Sequence, residues 1–273
     1  MNTLLLEPHN GVLHITLNRP ESRNAMSLEM VNELRAVLAQ LNSQTRAVVI
    51  SGAGGHFCAG ADVKDLVTAG NQLQALNRAF GTLLQEVEAV PQVVIVVLQG
   101  AVLGGGFGLA CVSDIAIADH QAQFGLPETS LGLLPAQIAP FVVKRIGLTQ
   151  ARRLALTAAR FDGLEAERLG VVHFTERDPQ ALAERLDEVL GHVLRCAPGA
   201  NGRTKSLLLA SVDEPLEVVL DRGDAGICAE AQAKVVQMTP SQASQLPQVE
   251  RIPKCGSWLA CDEARTNTPS TQG

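Results

Sequence analysis

The sequence predicts an α/β fold with near-parallel strands, and three observations carry that reading. Apolar runs of strand length alternate with segments of helical period from Gly11 to Asp119. Two of the strand-like runs end in glycine-rich turns, "SGAGGHFCAGAD" and "LQGAVLGGGFG". Of the 273 residues, 46% are hydrophobic but only 3% aromatic, so the chain can build a large, aliphatic core.

The elements follow in order. "GVLHITLNRP" places apolar Val12, Leu13, Ile15 and Leu17 in a strand that stops at Pro20. "SLEMVNELRAVLAQLNS" reads as a helix with Ser27 as N-cap and a stripe of Leu28, Val31, Leu34, Leu38 and Leu41. "RAVVISGAGG" is a buried strand, "QALNRAFGTLLQEVEAV" a second helix and "QVVIVVLQG" a third strand. No charge occurs from Ala89 to Ser113, the length of a membrane span, but Pro91, Gln99, Gly100 and Gly104–Gly106 divide it. A buried strand, a glycine turn and a buried helix are expected there, followed by the strand "DIAIAD".

From Thr149 the texture becomes helical, in "TQARRLALTAARF", "GLEAERLG" and "PQALAERLDEVLGHVLRC", and "PGANGRTKSLLLA" carries a turn and a further helix. After Thr239 the composition shifts to Ser, Gln, Pro and Asn. The expected organisation is an α/β core over 1–195, a helical region over 196–258 and a disordered tail over 259–273.

Composition narrows the chemistry. A net charge of −6, a single Trp and no Tyr argue against a nucleic-acid surface. The N-terminus has no basic segment before its short apolar run, and the six cysteines form no C-x-x-C pair. The expectation is therefore a cytoplasmic protein with reduced, structural thiols. Six scattered histidines show no metal-ligand spacing, so no metal is expected. Phosphate-loop, dinucleotide and nucleophile-elbow motifs are absent.

What remains is the pair of glycine turns. Small residues at the ends of two strands leave backbone N–H groups accessible, and the second turn opens a helix whose first amides and dipole favour negative charge. Two such donors facing one point would make an oxyanion hole. The competing reading is that the glycines only permit close packing.

"HFCAGADVKDL", "LGGGFGLACVSDIAIA" and "AQFGLPETSLGLLP", with "LNRPESRNAMS" before them, resemble the successive signatures of the crotonase (enoyl-CoA hydratase/isomerase) superfamily. The likeness is close over residues 4–175 and looser to 235. It implies a crotonase-like spiral of ββα repeats with a C-terminal helical trimerisation region, and a homotrimer or dimer of trimers. The implied substrate is an acyl-CoA thioester whose enolate the protein stabilises. CoA belongs to the substrate, so no separate cofactor, nucleic acid or membrane is implied. The oxyanion donors would be the backbone N–H groups of Ala61 and Gly105, and Arg23, Ala25, Ala59 and Asp62 would lie along the CoA.

The sequence departs from the family at one place. Well-known hydratases of the family use two glutamates, the first two residues after the glycine triplet; here that position is Gly108. The second is present as Glu128, in an apolar setting that should raise its pKa. One carboxylate could take the proton from water and deliver it to Cα. "LGLLPAQIAPFVVKRIG" lacks the usual "GGTQ" stretch and resembles the 3-methylglutaconyl-CoA or isohexenylglutaconyl-CoA hydratase branch of leucine and acyclic-terpene catabolism. Such a substrate carries a second carboxylate that, itself or through a water it orders, could compensate for Gly108; Lys144 or Arg145 could pair with it, although both read more readily as helix-surface charges. Asp114 and Asp119 read as structural. Two alternatives stay open: an enoyl-CoA isomerase, whose proton shuttle needs one carboxylate, and a non-catalytic acyl-CoA-binding protein.

Overall fold

The computed structural model describes residues 1–62 and 73–223, together with Gly226. Strands β1 (Leu4–His9) and β2 (Val12–Leu17) pair antiparallel through Asn10 and Gly11. Both turn residues have positive φ, 48° and 78°, as a two-residue type I′ hairpin requires. Every further strand of this sheet is added in parallel: β3 (Ala47–Gly52), β4 (Val93–Leu98), β6 (Ile115–Asp119) and β8 (Phe174–Glu176). The order is β1-β2-β3-β4-β6-β8, with α1 (Leu28–Ala39) between β2 and β3 and α2 (Leu73–Ala89) between β3 and β4.

A separate two-stranded parallel pair, β5 (Ala101–Leu103) and β7 (Gln123–Gly125), lies either side of α3 (Gly105–Val112) in the chain. The remaining helices are α4 (Ala139–Thr157), α5 (Gly163–Arg168), α6 (Pro179–Arg195) and α7 (Pro198–Asp213). In α4 the backbone breaks at Gly147, where φ is 76° and ψ 157°.

Parallel strands buried on both faces need apolar residues at every position, and β3 supplies them. Val48 and Ile50 point into the main core with α1, α2, α3 and α4. Ala47 and Val49 point to the other face, where Ile95 and Ile117 meet Leu182, Val189 and Val193 of α6. The sheet is thus covered on both sides.

The expected helices and the four expected strands are present, with differences. Ser27 caps α1 by accepting from Met30 N at 3.2 Å, but Leu28 of the expected stripe is 39% exposed, and Met30 and Val37 are buried in the helix's inner face. The helix expected from Thr149 begins at Ala139, and the segment expected to turn first is helical from Pro198. Strands β1, β5, β7 and β8 were not expected.

By contacts the chain divides into Met1–Gly202 and Arg203 onward, the second unit holding the rest of α7 and helical residues 216–223. The tail expected over 259–273 lies outside the described residues. Among the described residues no helix is long and apolar enough to cross a membrane, and no cluster of three or more His, Cys, Asp or Glu could hold a metal.

Candidate active site

The first glycine turn is threaded between two other segments. On one side Phe57 N and Cys58 N donate to the carbonyls of Gln99 and Ala101, both at 2.8 Å, and Leu103 N donates to Cys58 O at 2.9 Å. On the other, Ala59 N donates to Arg23 O at 3.0 Å, Met26 N to Gly60 O at 2.8 Å and Asp62 N to Met26 O at 3.0 Å. In this parallel pairing of Met26 with Ala61 the bonds are made by the residues flanking Ala61. The N–H of Ala61 therefore turns away from Met26, to the side on which β5 runs into the glycine triplet.

That triplet needs its bare backbone for two reasons at once. Gly104 has φ 47° and ψ −111°, a conformation side chains disfavour, and its N–H donates to Gly125 O at 3.0 Å. A Cβ on Gly104 would stand 2.7 Å from Oε1 of Glu128 and 3.5 Å from the α-carbon of Gly60. A Cβ on Gly106 would stand 2.7 Å from Cβ of Cys58. The glycines thus pack the two turns together. They also open α3 at Gly105 without a side-chain cap, so its first amides have no acceptor earlier in the helix. Close packing and anion-ready amides coexist here.

Glu128 begins a 3-10 turn, Glu128–Leu131, that is tied down at several points. Thr129 Oγ1 donates to Ala155 O at 2.8 Å, Ser130 Oγ to Pro127 O at 2.6 Å and Leu133 N to Glu128 O at 2.9 Å. The carboxylate points inward: Oε1 lies against Gly104, and Oε2 is buried without a hydrogen-bond partner among the described residues. Burial raises the Glu128 pKa, opposed by a bond from its own amide and by the charge of Arg160. An under-solvated carboxylate beside helix-start amides is equipped to take and return a proton.

The position where a second carboxylate would stand is tightly lined by hydrocarbon. A Cβ on Gly108 would meet Leu84 Cδ1 at 3.3 Å and two carbons of Ile138 at 3.4 Å. Phe80 similarly approaches Gly105, its ring 3.1 Å from a Cβ built there. The wall of the site beyond Gly104 is therefore apolar, formed by α2 and the segment after Glu128. Behind the Glu128 turn lies an apolar cavity of about 270 Å³ lined by Leu126, Val142, Ala151, Ala155 and Leu156 among others.

The residues expected along CoA fall into two groups. Arg23 is exposed, with φ 52°, and Ala25 and Ala59 are half-buried beside it. Asp62 is buried, and its carboxylate pairs with Arg19 Nη1 at 2.8 Å. Its visible role is to hold the opening loop onto the first turn.

Two residues of that loop escaped the sequence reading. Arg19 also donates to Ala25 O at 2.7 Å. Asn24, fully buried at φ 56°, accepts from Arg19 N at 2.8 Å and donates to the carbonyls of Ala53 and His56 at 2.9 and 2.7 Å. The signal available was an Asn in a tight polar run, a residue type that tolerates left-handed backbone and bonds main chain.

Arg145 does not face the site as a substrate partner. Its guanidinium donates to Val171 O at 2.9 and 3.1 Å and to Ser113 O at 3.2 Å, anchoring α4. Lys144 is exposed on the same helix. Asp114 accepts from Val94 N at 2.7 Å and Asp119 from Gln121 N at 2.8 Å, both structural bonds.

Comparison with known proteins places this geometry in context. Residues 7–231 match the family profile described as "Enoyl-CoA hydratase/isomerase". The solved structure described as "Pseudomonas aeruginosa AtuE" is 62% identical, with 89% of this chain and 93% of that one covered and a TM-score of 0.81. A putative enoyl-CoA hydratase from Thermobifida fusca YX, solved in complex with CoA, is 28% identical over 86% of this chain and 95% of its own, with a TM-score of 0.79. "Enoyl-CoA hydratase ACTT6" of Alternaria alternata is 34% identical over 201 residues, 72% of this chain, and the match spans 66% of that relative's length.

Proposed function

The chain belongs to the enoyl-CoA hydratase/isomerase family, and on that premise we propose that it is a hydro-lyase acting on a branched enoyl-CoA with a second carboxylate, such as 3-methylglutaconyl-CoA or isohexenylglutaconyl-CoA. The observation that carries the reading is Glu128, its carboxylate set against Gly104 at the start of α3, with one oxygen buried and unpartnered among the described residues.

In this reading the thioester oxygen lies between the N–H groups of Ala61 and Gly105. Glu128 takes a proton from water as the water oxygen bonds to Cβ, and the π electrons move onto the thioester oxygen as an enolate. The enolate collapses as Glu128 returns that proton to Cα, so the carboxylate is regenerated and no cofactor is consumed. Removing one oxyanion donor from such a site raises the barrier by about 3–4 kcal/mol. Arg23, Ala25 and Ala59 lie along the CoA moiety.

A second reading has an observation of its own. Because Gly108 is walled by Leu84 and Ile138, Glu128 is the carboxylate at hand among the described residues, and moving one proton between Cα and Cγ asks for no more. The test is turnover of 3-methylglutaconyl-CoA, followed by loss of the conjugated thioester absorbance, in wild type and Glu128→Gln. The proposal expects hydration by wild type and a loss of about a hundredfold or more in the variant. A wild type that shifts the double bond of a β,γ-enoyl-CoA but hydrates nothing selects the isomerase.

A further inference from the structure

We propose that His56 is a positioning residue of the oxyanion site, its imidazole fixing the turn that carries Ala61 against the strand that leads to Gly105. This rests on the oxyanion reading above and names what holds its two donors in register. The donors come from separate segments, Ala61 from the first glycine turn and Gly105 from the turn after β5. Both must meet a single oxygen, so their spacing matters as much as their presence.

The two segments run parallel as a short ladder. Cys58 pairs with Val102: Cys58 N donates to Ala101 O at 2.8 Å, and Leu103 N donates to Cys58 O at 2.9 Å. Regular parallel pairing would continue one rung back with Ala101 N donating to His56 O. That carbonyl instead accepts from Asn24 Nδ2 of the opening loop, at 2.7 Å. The N–H of Ala101 goes to the ring of the same residue, His56 Nδ1, at 3.1 Å. One residue thus closes the ladder with its side chain and frees its carbonyl for a third segment.

The ring has a prepared seat. Gly100 has φ 54°, and a Cβ there would stand 2.4 Å from His56 Nδ1 and 2.2 Å from Gly55 O. Accepting from a main-chain amide also sets the tautomer: Nδ1 carries no proton, so in the neutral ring the proton is on Nε2. His56 lies five residues before Ala61, and Ala101 lies four before Gly105. The bond between them sits at the base of the two arms that carry the donors.

The test is the carbonyl stretch of bound butyryl-CoA, an unreactive saturated thioester. It is read by isotope-edited infrared difference spectroscopy in wild type, His56→Leu and His56→Asn. Two donors on the thioester oxygen should lower the stretch in wild type relative to the free ligand. His56→Leu keeps bulk but has no acceptor, and should lose about half of that lowering or more as one donor drifts out of reach. Asn carries Oδ1 at nearly the same distance from Cβ as Nδ1 and should recover part of it. Free CoA, measured by calorimetry, should bind all three alike. A full shift in His56→Leu overturns the proposal. So does a loss matched by equal weakening of free CoA, which would mean a generally loosened loop. An unshifted carbonyl in wild type removes the oxyanion reading itself, and this proposal with it. Should His56→Leu not fold, NMR of the wild-type ring nitrogens decides: at pH 8 Nδ1 must be unprotonated and coupled to the N–H of Ala101, and a proton on Nδ1 overturns the proposal.

Discussion

The carboxylate of Glu128 is seated on Gly104: a Cβ built on that glycine would stand 2.7 Å from Oε1. The proposed acid–base group and the turn that opens α3 are thus closely packed, with no room between them for a side chain at Gly104. Gly104→Ala should therefore do two things. The backbone, at φ 47° and ψ −111°, becomes strained by about 1–3 kcal/mol, read as a lower denaturation midpoint. The carboxylate is displaced, and kcat/KM for the enoyl-CoA substrate should fall about a hundredfold, the effect of a misplacement near 1 Å. A variant that loses stability but keeps its rate would detach Glu128 from the chemistry.

Because burial raises the Glu128 pKa, the folded protein holds this proton to higher pH than the unfolded chain does. The native state then binds more protons than the unfolded state between the two pKa values, and this group's contribution to stability falls as pH rises through them. Glu128→Gln should consequently be at least as stable as wild type at neutral pH, with any advantage disappearing below the ordinary glutamate value of about 4.3. The acid limb of kcat/KM should lie above that value, since the base must be ionised to take a proton from water. Denaturation midpoints at pH 4 and pH 7 and a pH–rate profile check both halves.

Much of this was legible in the sequence because the physics is local. A run such as "VVIVVL" has nowhere to go but a doubly covered strand, and Ser27 before "LEMVNEL" announces its helix. Strand β1 was legible too, through the Asn10-Gly11 turn, but its three consecutive leucines show no alternation and masked it. Strands β5, β7 and β8 are three residues each and are defined by partners far away in the chain, such as Gln123 against Ala101. The same limit applied at the site. That Glu128 is apolar in setting could be read from its neighbours. That Leu84 and Ile138 tightly line the space at Gly108 is a fact of packing between residues 54 positions apart.

Asp62 illustrates how a motif residue can support a site from behind. Its carboxylate meets Arg19 at 2.8 Å in a nearly closed environment, and Arg19 also holds Ala25 O. Removing one member leaves the other charge buried, which typically destabilises by about 3–5 kcal/mol. Asp62→Asn should approach the lower end, since the Arg19 left behind keeps 22% exposure, whereas Arg19→Met leaves Asp62 at 9% and should cost more. Urea denaturation measures this, and activity should follow the folded fraction until the loop carrying Ala59 and Ala61 loosens.

The cysteines offer a check on packing that needs no substrate. Burial pushes Cys58 up to about 11 and Cys111 up to about 12, whereas Cys196 is exposed. The thiolate is the reactive form, so at pH 8 iodoacetamide should alkylate Cys196 and spare the other two until the protein unfolds. Peptide mass spectrometry of these three positions reads the result. Early labelling of Cys58 would mean that the contact of Gly106 on Cys58 opens in solution, and with it the packing of α3 on the first turn.

Restoring the glutamate that the family's two-carboxylate hydratases carry is the sharpest probe of what Gly108 means. If the glycine were simply a lost catalytic group, Gly108→Glu would bring water addition to an unsubstituted enoyl-CoA up to a higher rate. The packing says otherwise. Leu84 and Ile138 stand 3.3 and 3.4 Å from where even a Cβ would sit, so the longer side chain must displace both and bury a carboxylate among hydrocarbon. Overpacking and desolvation together should lower stability by at least about 3 kcal/mol, with no gain in crotonyl-CoA hydration. Pairing the change with Ile138→Ala clears part of the space and should recover stability. Only then can a second carboxylate be tested as a catalyst: a rise in crotonyl-CoA hydration in the double variant, absent in the single one, would show that the apolar wall, rather than the glycine itself, sets this site apart.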